Sequence, residues 1–284
     1  MTRIVAVHGV GNYAPGHQPE AVSTARAGTW ARHLASGLNL PAEEVDLKFA
    51  YYAHHLRQAQ PTMQGPGDEL GRLAIIDPEA AELVEKWLET LGLPQVTTQG
   101  RLAIPLRHAV EFVAKRFSLD GRLTQIFVAR FFRELATYLR DPQSQERHAA
   151  REEVAASIKT HQPGVVIAHS LGTVVAYEAL HAHPELQVDL LVTMGSPLAL
   201  PHAVFQRLEP RPENDTGCLP PGVKRWVNIA DRGDPVAIPR PLKKYFPGID
   251  VDLEESIGLF DFHRASNYLQ SSAVAAAMAP HVKQ

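Results

Sequence analysis

Cysteine is nearly absent from this chain. Among its 284 residues there is one, Cys218, so no disulfide can close within a single copy. Its Gly-Cys-Leu-Pro-Pro setting reads as an irregular loop, without the strand–turn–helix context that a cysteine nucleophile would need. Long apolar runs are missing as well. None approaches the ~20 residues needed to span a bilayer, so no transmembrane segment is expected. The chain opens almost directly on an apolar strand, with no basic stretch leading into an apolar one, and the expectation is a cytoplasmic protein. Neither sign of charge is in excess. With 28 basic and 31 acidic side chains the net charge is −3, which gives no reason to expect nucleic acid or an anionic membrane as a partner. The G-x-G-x-x-G spacing and the G-K-S/T ending of nucleotide loops do not occur. His54-His55 and His181-x-His183 come with no third ligand at a defined spacing, so neither a metal nor an organic cofactor is expected.

What is present is an alternation of strand-like and helix-like segments. Apolar runs at residues 4–7, 45–53, 165–168, 190–193 and 223–230, with a last one near 249–253, read as strands. Helical patterns fill residues 19–38, 78–91, 104–117, 123–139, 144–160 and 173–183, and an Ala-rich helix closes the chain. Strands that alternate with helices predict an α/β fold with a mostly parallel sheet. The chain is long enough for one large core, or for a core with a smaller cap.

Residues 165–172 read Val-Val-Ile-Ala-His-Ser-Leu-Gly: a buried-strand run that breaks into a small-x-Ser-x-Gly turn, with a helix following at once. A Ser at the tip of such a turn is forced into strained backbone geometry, with its hydroxyl projecting above the sheet. Ala168 and Gly172 meet the demand for small neighbours where strand and helix nearly touch. Ser170 is the candidate nucleophile. Leu171, the residue after it, is a candidate oxyanion donor. The second donor comes from the His8-Gly9-Val10-Gly11 turn that closes the first strand, where Val10 is the best placed. A later strand runs into a loop with two carboxylates, Asp231 and Asp234. An acid that orients an imidazole belongs on such a loop; Asp234 is favoured and Asp231 is the alternative, with bracing of the loop as its other role. His263 lies after this loop and at the mouth of the terminal helix, as a general base requires. His169 points away from the Ser170 hydroxyl because adjacent side chains diverge, and it lines the pocket; Tyr51 and Tyr52 end a strand near the same cleft.

The order Ser170, Asp234, His263, with a glycine turn at residues 8–11, resembles the α/β-hydrolase superfamily, in particular its lipase- and esterase-like members. Gly195-Ser196-Pro197 after the fourth strand adds to the likeness, as does the Gly-Asp-x-Val arrangement at Asp234. The resemblance implies an open sheet with a Ser-His-Asp ester-cleaving site along its C-terminal edge, in a reduced form without the usual leading antiparallel strands. It implies no metal or organic cofactor, and a small-molecule ester or lipid-derived substrate. The same residues could cleave thioesters or amides, or pass the acyl group to an alcohol. A different reading is a non-catalytic scaffold that binds a protein partner.

The likeness covers residues 1–54 and 161–284 and leaves 55–160 as a largely helical insertion. Its last helix, 144–160, is expected to pack on the sheet as an ordinary crossover. The others, rich in Phe112, Phe117, Phe127, Phe131 and Phe132, are expected to cap the site and supply an apolar acyl pocket. The plainer alternative buries them against each other, and a third reading makes Phe131-Phe132 a contact patch for a second copy or a membrane.

Overall fold

The Val- and Ile-rich runs become strands because both faces of a parallel sheet are covered, which rewards unbroken apolar stretches over alternating ones. The structure, a computed structural model, describes residues 2–56, 78–92, 111, 113–115, 117, 120–257 and 263–282. Strands β1 (Arg3–Val7), β2 (Asp46–Ala50), β3 (Val165–His169), β4 (Leu190–Met194), β5 (Trp226–Asp231) and β6 (Val251–Glu255) form one six-stranded sheet in the order β2-β1-β3-β4-β5-β6. Every neighbouring pair is parallel. The central strands β3 and β4 are buried at all five positions, whereas the edge strand β6, Val-Asp-Leu-Glu-Glu, is half-exposed throughout.

Helix α1 (Pro19–Leu38) begins on a proline, whose fixed φ suits the first helical turn, and ends on Asn39 in the left-handed region. Helices α2 (Pro78–Thr90) and α3 (Gly121–Leu139) pack on each other. Asp120 caps α3 by accepting from the Leu123 N–H, and Ser144 caps α4 (Gln145–His161) by accepting from the Arg147 N–H. Helix α5 (Leu171–Ala182) follows β3 without a spacer. The expected terminal helix is two short ones, α6 (Ala265–Leu269) and α7 (Ser272–Met278), because Ser271 leaves helical geometry to cap the second by accepting from Val274 N–H.

Side-chain alternation sends residues of one strand to opposite layers. Ile4 and Ala6 of β1 join Trp30, Leu34, Val274 and Met278, the apolar faces of α1 and α7. Val5 and Val7 join the other layer, where α2, α3, α4 and α5 share one apolar cluster. Helix α4 lies on β1, β2 and α5. Phe131 and Phe132 are each only 1% exposed, so they are core side chains of this layer and offer no surface patch.

The expected elements shift at their ends for local reasons. β2 stops at Ala50 because Tyr51 and Tyr52 turn inward around His8. β5 starts at Trp226, since Val223 only bridges to Val188. Most of the helix expected over residues 104–117, with Phe112, lies outside the described residues. No helix among the described residues is long and apolar enough to cross a membrane.

Candidate active site

Where β3 meets α5, Ser170 adopts φ 58° and ψ −131°, a left-handed backbone state that a non-glycine residue enters only under constraint. Its N–H donates to Met194 O at 3.0 Å, which ties the turn to the end of β4. Close approach sets the neighbours. A Cβ on Gly172 would sit 2.3 Å from the His8 carbonyl oxygen, and one on Gly9 would sit 2.5 Å from the Ser170 Cβ. The His8–Gly11 turn therefore crosses directly over the serine, and only glycine fits at both crossings.

Ser170, Asp234 and His263 come together in one hydrogen-bonded line. His263 Nε2 lies 2.7 Å from Ser170 Oγ, and Nδ1 lies 2.6 Å from Asp234 Oδ2. The proton positions follow from the partners. Asp234 Oδ1 accepts from Val236 N–H at 2.8 Å and Ala237 N–H at 3.4 Å. Its Oδ2 accepts from the Tyr268 hydroxyl at 2.9 Å, and that hydroxyl itself accepts from Asp231 N–H at 2.9 Å. A carboxylate surrounded by donors requires His263 to donate through Nδ1–H, so Nε2 presents its lone pair to the Ser170 hydroxyl. Asp234, not Asp231, touches the imidazole. The Asp231 carboxylate accepts from Gly233 N–H at 2.9 Å and braces the loop.

The turn over the serine is rigid. His8 is fully buried, and its ring stacks on Tyr52 at 4.1 Å between centroids. Its Nδ1–H donates to Gly9 O at 2.7 Å, and its Nε2 accepts from Tyr52 N–H at 3.2 Å. Burial pushes its pKa down to about 3, which keeps the imidazole neutral and both bonds intact. The Tyr52 hydroxyl donates to His8 O at 2.6 Å, and the Tyr51 hydroxyl accepts from Ala14 N–H at 3.1 Å. Both tyrosine hydroxyls are thus engaged by backbone groups beside the turn. His169 is buried with its ring 4.7 Å from that of His263, and its Nε2 has no hydrogen-bond partner. Burial, aided by His263, holds its pKa well below the ordinary histidine value.

Leu171 N–H, first in α5, has no intrahelical acceptor by construction. Among the described residues neither it nor the Val10 N–H donates to an acceptor. The half-buried Val10 sits in the turn above Ser170.

Compared with known proteins, the chain matches no family model, no curated protein and no solved structure.

Two contributors, Tyr268 and Glu134, escape the sequence reading. Tyr268 lies five residues past His263, within α6, and nothing in its spacing announces a bond to the acid loop. Glu134 of α3 accepts from Gly11 N–H at 2.9 Å and so clamps the far end of the turn; burial pushes its pKa up to about 7. Phe127 and Phe131 place their rings 5.1 and 6.2 Å from that of His263. The sequence reading expected both phenylalanines in a cap over the site, with burial against each other or a contact patch as alternatives. As a unit, the arrangement can deprotonate a hydroxyl, hold the resulting imidazolium against a buried carboxylate, and offer free N–H groups to a developing oxyanion.

Proposed function

We propose that this protein is a serine hydrolase of the α/β-hydrolase superfamily that cleaves carboxylic esters. The observation that carries the reading is the unbroken line from Asp234 through His263 to Ser170, ending on a residue held at φ 58°. Its place in the sheet supports it. The chain runs from β1 to β2 on one side and returns to β3 on the other, and the serine turn and the His8–Gly11 turn meet at that reversal. Ligands of open α/β sheets bind beyond the C-terminal strand ends at such a switch point.

In the proposed reaction His263 Nε2 takes the Ser170 proton while Oγ attacks the ester carbonyl. The N–H groups of Val10 and Leu171 hold the oxyanion. Collapse breaks the acyl–oxygen bond, and His263 gives its proton to the departing alcohol. Water then attacks the acyl-enzyme on the same base and releases the acid. Asp234 keeps the imidazole in its working tautomer and balances its charge. Ring contacts of Phe127 and Phe131 with His263 support a helical cap, α2 with α3, that lends an apolar wall to the acyl pocket, and His169 lines the same space. The substrate is a small-molecule or lipid-derived ester.

Reaction with a fluorophosphonate, followed by mass spectrometry of the adduct, tests this reading alongside hydrolysis of p-nitrophenyl esters of two to sixteen carbons. Labelling is expected at Ser170, with an optimum in chain length. Ser170→Ala is expected to abolish both labelling and turnover while unfolding as the parent does. Turnover by a folded Ser170→Ala protein would refute the assignment.

A further inference from the structure

We propose that His54, His55 and Glu153 form a binding site for a first-row divalent cation of the zinc class. The proposal is independent of the serine chemistry and shares no residue with it. In sequence the two histidines stand alone; the fold supplies the missing donor from the middle of α4, which lies across β2. One donor atom from each of the three side chains lies within 4.8 Å of the other two. Ligands about 2.0–2.2 Å from a tetrahedral ion stand roughly 3.3–3.5 Å apart, so the trio needs only a modest contraction. Rotation of the side chains can supply it, since all three residues are half-buried rather than packed solid.

The donor set selects the ion. Two imidazole nitrogens and one carboxylate oxygen suit zinc and its neighbours, whereas calcium and magnesium require mostly oxygen. Three ligands leave a fourth position, and partial exposure leaves that position open to water. The scaffold is already set. The histidines occupy a tight turn after β2, closed by His55 N–H donating to Tyr52 O at 3.0 Å. The His54 ring stacks on Tyr51 at 5.3 Å between centroids, which orients it, and the two imidazole centroids are 3.8 Å apart. Glu153 already approaches His55 Nε2 at 3.9 Å.

A second observation points the same way. His54 Nδ1 is buried without a hydrogen-bond partner, an uncommon condition for a buried polar atom.

The test is calorimetric titration of tag-free, chelator-treated protein with zinc chloride. Cobalt(II) titrated in parallel reports the ligand field through its visible absorption. The expected result is one equivalent of zinc bound, and for Glu153→Gln and His55→Gln an affinity lower by about tenfold or more, with far-UV circular dichroism like that of the parent. Absence of stoichiometric binding by the wild-type protein overturns the site whatever the variants do. Parental affinity in both folded variants also overturns it, because the metal would then sit on other histidines.

Discussion

At Ser170 the backbone state and the side-chain bond depend on each other. A positive φ at a non-glycine residue costs on the order of 1–3 kcal/mol, and it persists only where the surroundings over-determine it. Here the constraints are the N–H bond to Met194, the crossing at Gly9 and the α5 start at Leu171. Gly9→Ala tests the crossing. The added methyl would meet the Ser170 Cβ at 2.5 Å and its Oγ at 3.1 Å, so the turn and the serine must move apart. Misplacement of this kind is worth about a hundredfold in rate. The expected outcome is ester turnover lowered by about that factor in steady-state kinetics. A Gly9→Ala protein of parental turnover would show that the turn yields without disturbing the serine. Tyr268 acts on the same scale: one hydroxyl accepts from the acid loop's backbone and donates to the acid itself, which fixes Asp234 relative to Asp231.

Among the elements, α3, α4 and α5 are joined by a buried polar strut of Tyr138, Arg147 and Glu178. Arg147 and Glu178 have fully buried side chains and form an ion pair; Arg147 Nε–H donates to Glu178 Oε2 at 2.9 Å. Glu178 also accepts from the Tyr138 hydroxyl at 2.7 Å and from Glu209 N–H at 3.0 Å. Removing the carboxylate would strand a guanidinium, a phenol and an amide away from water. Breaking one half of such a pair costs about 3–5 kcal/mol. Glu178→Ala is therefore expected to lower the unfolding midpoint by roughly 6–15 °C in a thermal scan. Replacing both partners with apolar residues, Arg147→Met with Glu178→Leu, should recover much of that loss. If the single and double changes cost the same, the strut is not coupled.

For the whole molecule, titration couples the site region to stability. His8 has its pKa lowered to about 3 and His169 lies well below 6.5, both by burial, so the folded state refuses protons that the unfolded chain accepts below 6.5. Stability from these two is present above pH 6.5 and is lost as the pH falls below it, for His8 down to about 3. Glu134 works the other way: raised from 4.5 to about 7, it contributes stability below 4.5 that is lost as the pH rises through 7. Between 4.5 and 6.5 two histidines oppose one carboxyl, so stability falls as the pH falls; below 4.5 the carboxyl no longer opposes them and the decline steepens. Urea denaturation from pH 7.5 to 4 is expected to place the maximum close to neutrality and to show this decline. Stability that stays flat down to pH 4.5 would mean that His8 and His169 take up protons in the folded state.

Much of this protein is written in short stretches of its own chain. The strand ending in Ser170 with a helix at once behind it, the glycine turn after β1, the βα alternation that makes a parallel sheet, and the order of serine, acid and histidine all depend on neighbours in sequence, and periodicity and turn chemistry report such neighbours. Other features exist only where distant segments meet. Asp234 prevails over Asp231 because Tyr268 and the Val236 and Ala237 amides fix its carboxylate against His263. Glu134 reaches Gly11, Glu178 reaches Arg147, and Glu153 completes a set with His54 and His55. Local pattern assigns a face to each of these side chains, and a face has many occupants. Which occupant lies opposite is decided by how the helices pack on the sheet, and that is a property of the closed structure alone.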